Sequence, residues 1–393
     1  LDEAPVNDAV SYIKNYADTV SAKKTFPKLF SVYLAGLDHW AHDFGMDTYV
    51  QFFKDNSDKG VEKIAKALKD ADEFDNKIFI VTADHGHTAM PTQNQMILEE
   101  KDENGNVVKT WYGDASCKLN TEGFASKKVQ IPEHANNNLH IWELGEVMRG
   151  LPTGDVSSEG KTIYHKVLAP AEIVAANKGE TTTTDQKQAS VIAALNGPMA
   201  HIYVNGANND WNADPQRELL IKVADLLQAA LSEGDGPIPR LASAVEAILI
   251  RLTQNSDYVV YNGATFDAAG QITLNTPIPL GTYFSDGQKY INALTRIAGV
   301  NHPKRSGDII LIMKDATTGD ALGRYTTGVA CKSWHGRLNP SDSYVPLIVS
   351  YPGGNKFELD PLIQKVCTDN LCEGNWKVKD LISEIIKTQY FGQ

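Results

Sequence analysis

The first hundred residues alternate between helical and extended patterns of hydrophobic positions. Residues 8–20 carry apolar side chains at helical spacing, and the mostly apolar stretch KLFSVYLAGLD follows as a strand expected to be buried on both faces. Residues 61–68 form a second amphipathic helix, and KIFIVTAD then predicts a second buried strand. This order predicts an α/β fold with a mostly parallel central sheet flanked by helices.

Beyond residue 100 the pattern changes. A hairpin with an Asn-Gly turn is predicted at KDENGNVVKTWYG. Amphipathic helices are predicted at PQRELLIKVADLLQAAL and at LASAVEAILIRL. YVVYNG, GDIILIM and YVPLIVSYPGG predict strands. We therefore expect a core of residues 1–99 and 326–393, with residues 100–325 as a large insertion or cap that has its own strands and helices.

Composition and charge exclude some classes of function. The chain has 393 residues, of which 42% are hydrophobic and 22% charged, and no apolar run approaches the length of a membrane span. The net charge of -12 argues against a nucleic-acid surface, because no broad basic face is available. A small anionic substrate stays compatible, since bound divalent ions can reverse the local field.

The cysteines bear on the cellular compartment. Cys117, Cys331, Cys367 and Cys372 form no CxxC pair, and Cys367 and Cys372 are close enough in sequence to bridge a short loop. One or two disulfides would indicate an extracytoplasmic protein, periplasmic or secreted, whereas four reduced thiols are the alternative. The start LDEAPVNDAV is typical of the interior of a longer protein, so an upstream segment is expected.

Three clusters of polar residues could carry chemistry. In GLDHWAHDFG, Asp38 and His42 are four residues apart and converge if the chain forms a helical turn. In TADHGHTAM, Asp84 and His85 follow a buried strand, and in SWHGRLNPSDS His335 precedes a glycine. Carboxylate and imidazole ligands suit zinc or a similar divalent ion.

Each cluster also has an ordinary structural interpretation. Asp38 alone could cap a helix, and His42 alone could be a surface or hydrogen-bonded core histidine. The three clusters together favour metal ligation. The other histidines gain no such support: His39, His87, His134, His140, His165, His201 and His302.

Three motifs together resemble those of the alkaline phosphatase superfamily. They are Asp-x-x-x-His-x-x-Gly, the strand that ends in Asp-His-Gly, and the distant His-Gly ahead of Val-Pro-Leu-Ile-Val. Within it the chain is most similar to the type I phosphodiesterase and nucleotide pyrophosphatase branch. The resemblance is specific over residues 29–90 and 305–354, including RSGDIILIM, and covers the metal-binding core. It implies an alkaline phosphatase-like α/β fold.

The resemblance implies two divalent ions, most simply zinc. One ion would be held by Asp38, His42 and His335, and the second by Asp84 and His85. Such a pair stabilises both the attacking and the leaving oxygen of a displacement at phosphorus. In the family an aspartate on an earlier strand and a Ser or Thr nucleophile complete the second site.

The nucleophile is not assigned within this chain. Thr25-Phe26-Pro27 resembles the sequence around the family nucleophile, but a strand of about ten residues would separate Thr25 from Asp38 by roughly 30 Å. Thr88 and Ser333 are nearer the expected site, although neither matches the family position. We therefore expect the nucleophile upstream, which leaves the activity of this chain alone open.

Two cations flank His335. Lys332 and Arg337 could hold a phosphate group of the substrate, or they could be solvated surface charges. The function expected from the resemblance is hydrolysis of a small phosphorylated substrate, at a phosphodiester or nucleotide pyrophosphate bond. The alternatives are a non-catalytic metal-binding relative or inactive fragment, and a phosphomonoesterase, sulfatase or phosphomutase of the same superfamily.

Overall fold

The computed structural model describes residues 2–18, 26–89, 97–101, 107–112, 152–165, 167–168, 189–196, 199–232, 245–269, 271–314, 333–354, 360–361, 363–365 and 378–387. The chain divides into two compact units. The first consists of Leu1–Gly86 and Tyr344–Gln393, and the second of His87–Ser343. The assignment of a metal-binding core and a capping insertion stays a prediction.

The helices, numbered in chain order, are α1 (Glu3–Asp18), α2 (Gly36–Phe44), α3 (Tyr49–Phe52), α4 (Asp58–Asp70), α5 (Arg217–Ser232), α6 (Leu280–Tyr283), α7 (Ala293–Val300), α8 (Pro340–Ser343) and α9 (Val378–Ile386). A π-helical turn spans Phe53–Ser57, and a 3-10 turn spans Ala207–Asn209.

The strands are β1 (Phe79–Thr82), β2 (Thr88–Ala89), β3 (Ile97–Lys101), β4 (Val107–Tyr112), β5 (Pro152–Val156), β6 (Thr162–Tyr164), β7 (Val167–Leu168), β8 (Val191–Asn196), β9 (Met199–Val204), β10 (Val245–Ile250), β11 (Val259–Val260), β12 (Ala264–Phe266), β13 (Ile272–Leu274), β14 (Ile309–Met313), β15 (Ser333–Trp334) and β16 (Leu347–Ser350).

The first unit packs helices on both faces of a strand pair. β1 pairs antiparallel with β16, with Ile80 opposite Val349. Ile80 and Val349 pack against the α9 side chains, whereas Phe79 points to the other face and packs with α1 and α4. Alternate residues of β1 therefore bury opposite faces, as the predicted buried strand requires.

Residues 26–35 differ from the prediction. KLFSVYLAGLD was expected to include a strand, but residues 26–35, all of them described, contain none, and the helix α2 begins at Gly36. Phe26 and Phe30 pack instead on the cluster around Ile13, and their rings contact Tyr12. Leu29 and Tyr33 are 66% and 64% exposed, so this segment packs its two phenylalanine rings and leaves other apolar positions in solvent.

A π-helical turn joins α3 to α4. Residues 49–70 are helical throughout, with the wider turn of Phe53–Ser57 in the middle. Ser57, the last residue of that turn, donates from Oγ to Asp2 Oδ2 over 2.8 Å, and both side chains are buried. The π turn thus supplies a donor to a carboxylate that also contacts α2.

The second unit contains a six-stranded sheet in the order β11-β10-β14-β9-β8-β7. Helix α5 covers one face, which is formed by residues such as Ile248, Ile309 and Leu311. The opposite face, formed by residues such as Leu249 and Ile310, packs with side chains of α6 and α7. Both faces are covered, and the central strand β14 is accordingly a continuous apolar run that is buried throughout.

The prediction of a helix at LASAVEAILIRL is wrong. Residues 245–250 of this stretch form β10, which pairs antiparallel with β11 on one side and β14 on the other. A short apolar run fits a buried helix or a buried strand equally well, and here the covered sheet decides between them. GDIILIM forms β14 and PQRELLIKVADLLQAAL contains α5, as predicted.

The α/β character of the fold is confirmed, but its strand direction is not. Among the described strands, β7 and β8 pair in parallel, and the other pairings are antiparallel. The predicted hairpin is present as β3 and β4, whereas the expected Asn-Gly turn and all four cysteines lie outside the described residues. None of the helices in the described ranges is both long and apolar enough to cross a bilayer.

A buried ion pair closes one end of the six-stranded sheet. Arg251, which is 2% exposed, lies 3.4 Å from Asp308 and donates to the carbonyl oxygens of Gln254, His302 and Ser306. Asp308 also accepts from the Val204 backbone N–H over 3.0 Å. These bonds satisfy an otherwise costly buried cation and tie the loop ahead of β14 to β10.

Candidate metal centre

Helix α2 presents Asp38 and His42 on one face. The two residues are one turn apart, and His42 Nε2 lies 3.4 Å from Asp38 Oδ1. His42 is 2% exposed, whereas the Asp38 side chain is 25% exposed. The convergence predicted from their spacing is therefore confirmed, although it arises inside a regular helix and not in a turn after a strand.

Both ends of α2 are fixed by specific contacts. The Gly36 N–H at its start donates to Asp2 Oδ1 over 2.6 Å, so a buried carboxylate satisfies a free donor of the first turn. At its end Gly45 has a φ of 85°, and its N–H donates to the Ala41 carbonyl over 2.9 Å. These contacts set the direction in which Asp38 and His42 project.

Asp84 and His85 follow β1 in the same unit. His85 Nε2 lies 3.6 Å from Asp84 Oδ2 and 3.8 Å from Asp38 Oδ1. The end of β1 and the face of α2 thus bring two carboxylates and two imidazoles together. Asp84 is the most exposed of these groups, with 61% of its side chain accessible.

The carboxylates change the proton affinity of a neighbouring phenol. The pKa of Tyr33 is raised above its ordinary value, first by partial desolvation and then by the charges of Asp84 and Asp38. A local negative potential that disfavours a phenolate also favours a bound cation.

The second unit brings His87 and His335 together. Their ring centroids are 5.0 Å apart, and Ser333 Oγ lies 3.1 Å from His87 Nδ1. Gly336 has a φ of 104°, a conformation that glycine adopts without steric cost, so the chain turns directly after His335. The indole of Trp334 stacks near-parallel to the His335 ring at 5.9 Å.

A buried polar network lies directly behind these histidines in the chain. Asp342 accepts hydrogen bonds from Thr88 Oγ1 and, over 2.9 Å, from the Arg337 backbone N–H. Arg337 Nη1 donates to the same carboxylate over 3.1 Å, and both side chains are buried. Asn339 Nδ2 donates to Thr88 Oγ1 over 3.0 Å.

Each unit carries donor atoms of the kinds that transition-metal ions prefer. Four residues carry the candidate ligand atoms: Asp38 and His85 in the first unit, and His87 and His335 in the second. Within each pair the ligand atoms are no more than 4.8 Å apart. Carboxylate oxygen and imidazole nitrogen suit zinc and related divalent ions better than calcium or magnesium.

The sequence motifs give His87 no support as a ligand. The structure places its ring beside that of His335, although the two residues are 248 positions apart in the numbering. The available signal was the His-Gly-His spacing of residues 85–87 after a strand. His39, by contrast, is exposed on α2, as expected for a residue without ligand support.

The other residues that the sequence analysis considered for the site differ in where the structure places them. Arg337 is 2% exposed and paired with Asp342, and its role as a phosphate ligand stays a prediction. Lys332 and Thr25 lie outside the described residues, as do His134 and His140. Thr88 and Ser333 are both buried in the second unit.

Comparison with known proteins gives one result. No curated protein and no solved structure matches the chain. Residues 2–178 match the family model of type I phosphodiesterase / nucleotide pyrophosphatase. The matched range contains Asp38, His42, Asp84, His85 and His87, and ends before His335. The members of this family are metal-dependent hydrolases of phosphodiester and pyrophosphate bonds with an alkaline phosphatase-like α/β fold. The match covers 177 of the 393 residues and agrees with the resemblance that the motifs indicate.

Proposed function

We propose that the chain is a metal-dependent hydrolase of small phosphorylated substrates, with phosphodiester or nucleotide pyrophosphate bonds as the bonds it cleaves. The proposal rests on the family match over residues 2–178 and on the side chains that converge within that range. A mostly parallel sheet and an extracytoplasmic location belong to the same proposal.

The single observation that carries it is the geometry around Asp38. Its Oδ1 lies 3.4 Å from His42 Nε2 and 3.8 Å from His85 Nε2, so one carboxylate oxygen faces two imidazoles from different elements. A half-buried carboxylate is satisfied by a single partner, whereas a metal ion requires several ligand-type groups that converge on one point.

In this proposal two zinc ions are held by the ligands that the family resemblance implies. Bound ions of this kind polarise phosphoryl oxygens and neutralise charge that develops in the transition state. The chain's own residues hold them in place: Asp38 and His42 by the rigid α2, and Asp84 and His85 by the end of β1. No described residue is assigned as the nucleophile.

Metal content tests the proposal directly. The purified protein is loaded with zinc, dialysed into metal-free buffer and analysed for zinc per chain. We expect bound zinc in the natural protein and a clear loss in Asp38→Asn. Asp43→Asn, an exposed aspartate of the same helix, is the matched control and should keep its zinc. A metal-free natural protein, or equal zinc in both variants, would contradict the proposal.

Substrate choice is tested with two chromogenic esters. We expect the zinc-loaded protein to hydrolyse a bis-aryl phosphate faster than the corresponding mono-aryl phosphate. The opposite preference would indicate a phosphomonoesterase. Zinc binding without cleavage of either ester would indicate a non-catalytic relative.

A further inference from the structure

Asp342 stands at the centre of a buried network in the second unit. Its side chain is fully buried, and its two oxygens have different partners. Oδ1 accepts from Thr88 Oγ1, whereas Oδ2 accepts from the Arg337 backbone N–H over 2.9 Å and from Nη1 over 3.1 Å. One carboxylate therefore joins two segments that are about 250 residues apart in sequence.

Those two segments otherwise have a short strand pairing. β2 and β15 contain two residues each, with Thr88 opposite Trp334 and Ala89 opposite Ser333. So short a ladder fixes little by itself, because each backbone hydrogen bond adds only a small net stabilisation. Asn339 Nδ2 adds a second link across the same gap by donating to Thr88 Oγ1 over 3.0 Å.

The segments that Asp342 joins are those that carry the histidines. His87 immediately precedes Thr88, and His335 lies two residues before Arg337. The network therefore fixes the backbone at one side of each histidine, and the rings lie with their centroids 5.0 Å apart. Ser333 Oγ, 3.1 Å from His87 Nδ1, orients the His87 ring itself.

A second arginine, Arg296, bonds to the segment that contains Arg337 and Asp342. Arg296 on α7 donates from Nη2 to the Arg337 carbonyl over 2.7 Å and from Nη1 to Ser343 Oγ over 2.7 Å. Asp342 thus lies 3.1 Å from the Arg337 guanidinium, and Arg296 holds the backbone on either side of that ion pair, at the Arg337 carbonyl and at Ser343.

We propose that Asp342 is a positioning residue, which holds the His87 and His335 segments in register so that both imidazoles are presented to one divalent cation before it binds. This inference rests on the proposed function, in which His335 is a metal ligand, and extends it by adding His87 as a ligand and Asp342 as the residue that positions the pair.

The test measures zinc affinity by calorimetric titration of the metal-free full chain, at a temperature well below the unfolding transition of every variant. Asp342→Asn and Thr88→Val should each weaken zinc binding by at least about tenfold, the loss typical of removing a residue that supports a ligand. Thr88→Ser, which keeps the hydroxyl, should restore the affinity. His87→Ala should lower it as well.

Asp308→Asn is the matched control. Asp308 is also a buried aspartate of the second unit paired with an arginine, but its contacts are to Arg251 and Val204. This variant should unfold at a lower temperature and bind zinc as the natural protein does. A purely structural role for Asp342 would give the same pattern in Asp342→Asn, so zinc affinity separates the two roles.

Three outcomes decide the matter. If Asp342→Asn and Thr88→Val fold and bind zinc with the natural affinity, the positioning role is wrong and the proposed function stands. If Asp342→Asn does not fold, the zinc affinity of Thr88→Val alone tests the positioning role, because that variant keeps the Asp342 carboxylate and its pairing with Arg337. If the natural protein binds no zinc, the proposed function and this inference are both wrong.

Discussion

His42 Nε2 lies 3.4 Å from Asp38 Oδ1, one turn further along α2. The pair shares its helix with another histidine, His39, which is exposed to solvent. One short helix therefore carries a buried histidine, His42, and an exposed one, His39. Substitutions of the two can be compared within the same element.

Replacement of these two histidines should have different effects on metal binding. We expect His42→Ala to lower zinc affinity by more than the roughly 10- to 100-fold typical of residues that only support a ligand. His39→Ala should leave the affinity unchanged. Zinc titration of the two purified variants makes the comparison, and equal affinities would exclude His42 as a ligand.

Gly36 provides a test of how α2 is held. A Cβ at this position would lie 2.6 Å from Asp2 Oδ1 and 2.8 Å from Asp2 Cγ, so Gly36→Ala must displace the carboxylate that accepts from the helix N-terminus. We expect a loss of about 1–3 kcal/mol in the free energy of unfolding. Chemical denaturation measures it.

Gly299→Ala is the matched control for that substitution. Gly299 lies in α7, and a Cβ there would meet no atom within 4 Å. Alanine in this helix should stabilise the protein by up to about 1 kcal/mol. Substitutions of the same kind are thus expected to have opposite signs, and a stabilising Gly36→Ala would show that Asp2 does not fix the helix.

Arg251 tests the buried ion pair of the second unit. Arg251→Met leaves Asp308 buried without its cation, and we expect a loss of about 3–5 kcal/mol in the free energy of unfolding. Lys161→Met removes one partner of an exposed pair with Glu159 and should have little effect. A small effect of Arg251→Met would mean that water replaces the guanidinium.

His201 makes the stability of the second unit depend on pH. Its pKa is lowered from the ordinary value by burial and then by the charge of Arg251, and its Nδ1 accepts from the Gly307 N–H over 3.0 Å. The folded state therefore favours neutral His201, whereas the unfolded chain takes up a proton below about pH 6.5. Stability should be full above that pH and decrease as the pH falls below it.

The measurement is thermal unfolding between about pH 8 and pH 5, in the range where ordinary histidines titrate. His201→Gln removes the titration, so its unfolding temperature should depend less on pH than that of the natural protein. Identical pH profiles would show that another group causes the dependence.

Much of the local structure near the candidate site could be predicted from sequence because it rests on short-range spacing. The convergence of Asp38 and His42 follows from a four-residue interval, and β1 follows from an apolar run. His87 could not be recognised in this way. Its position beside His335 depends on the pairing of β2 with β15, and no local pattern encodes that pairing.

The incorrect helix at residues 245–250 has a related cause. VEAILI fits a buried helix or a strand covered on both faces, and the partners that decide between them, β11 and β14, come later in the chain. The prediction of a strand in the segment before α2 was wrong because of packing within the first unit. Its apolar residues suggested a strand, but its aromatic rings pack on α1 instead.

The π-helical turn of Phe53–Ser57 has an evolutionary consequence. Such a turn contains one residue more than the α-helical turn it replaces, so it marks a point where the helix can gain or lose a residue and remain continuous. Loss of that residue would rotate the preceding part of the helix by about 100° relative to α4. Ser57 could then no longer keep its bond to Asp2 while the neighbouring faces stay packed. Selection for the placement of α2 therefore acts on the length of a helix that carries none of the candidate ligands.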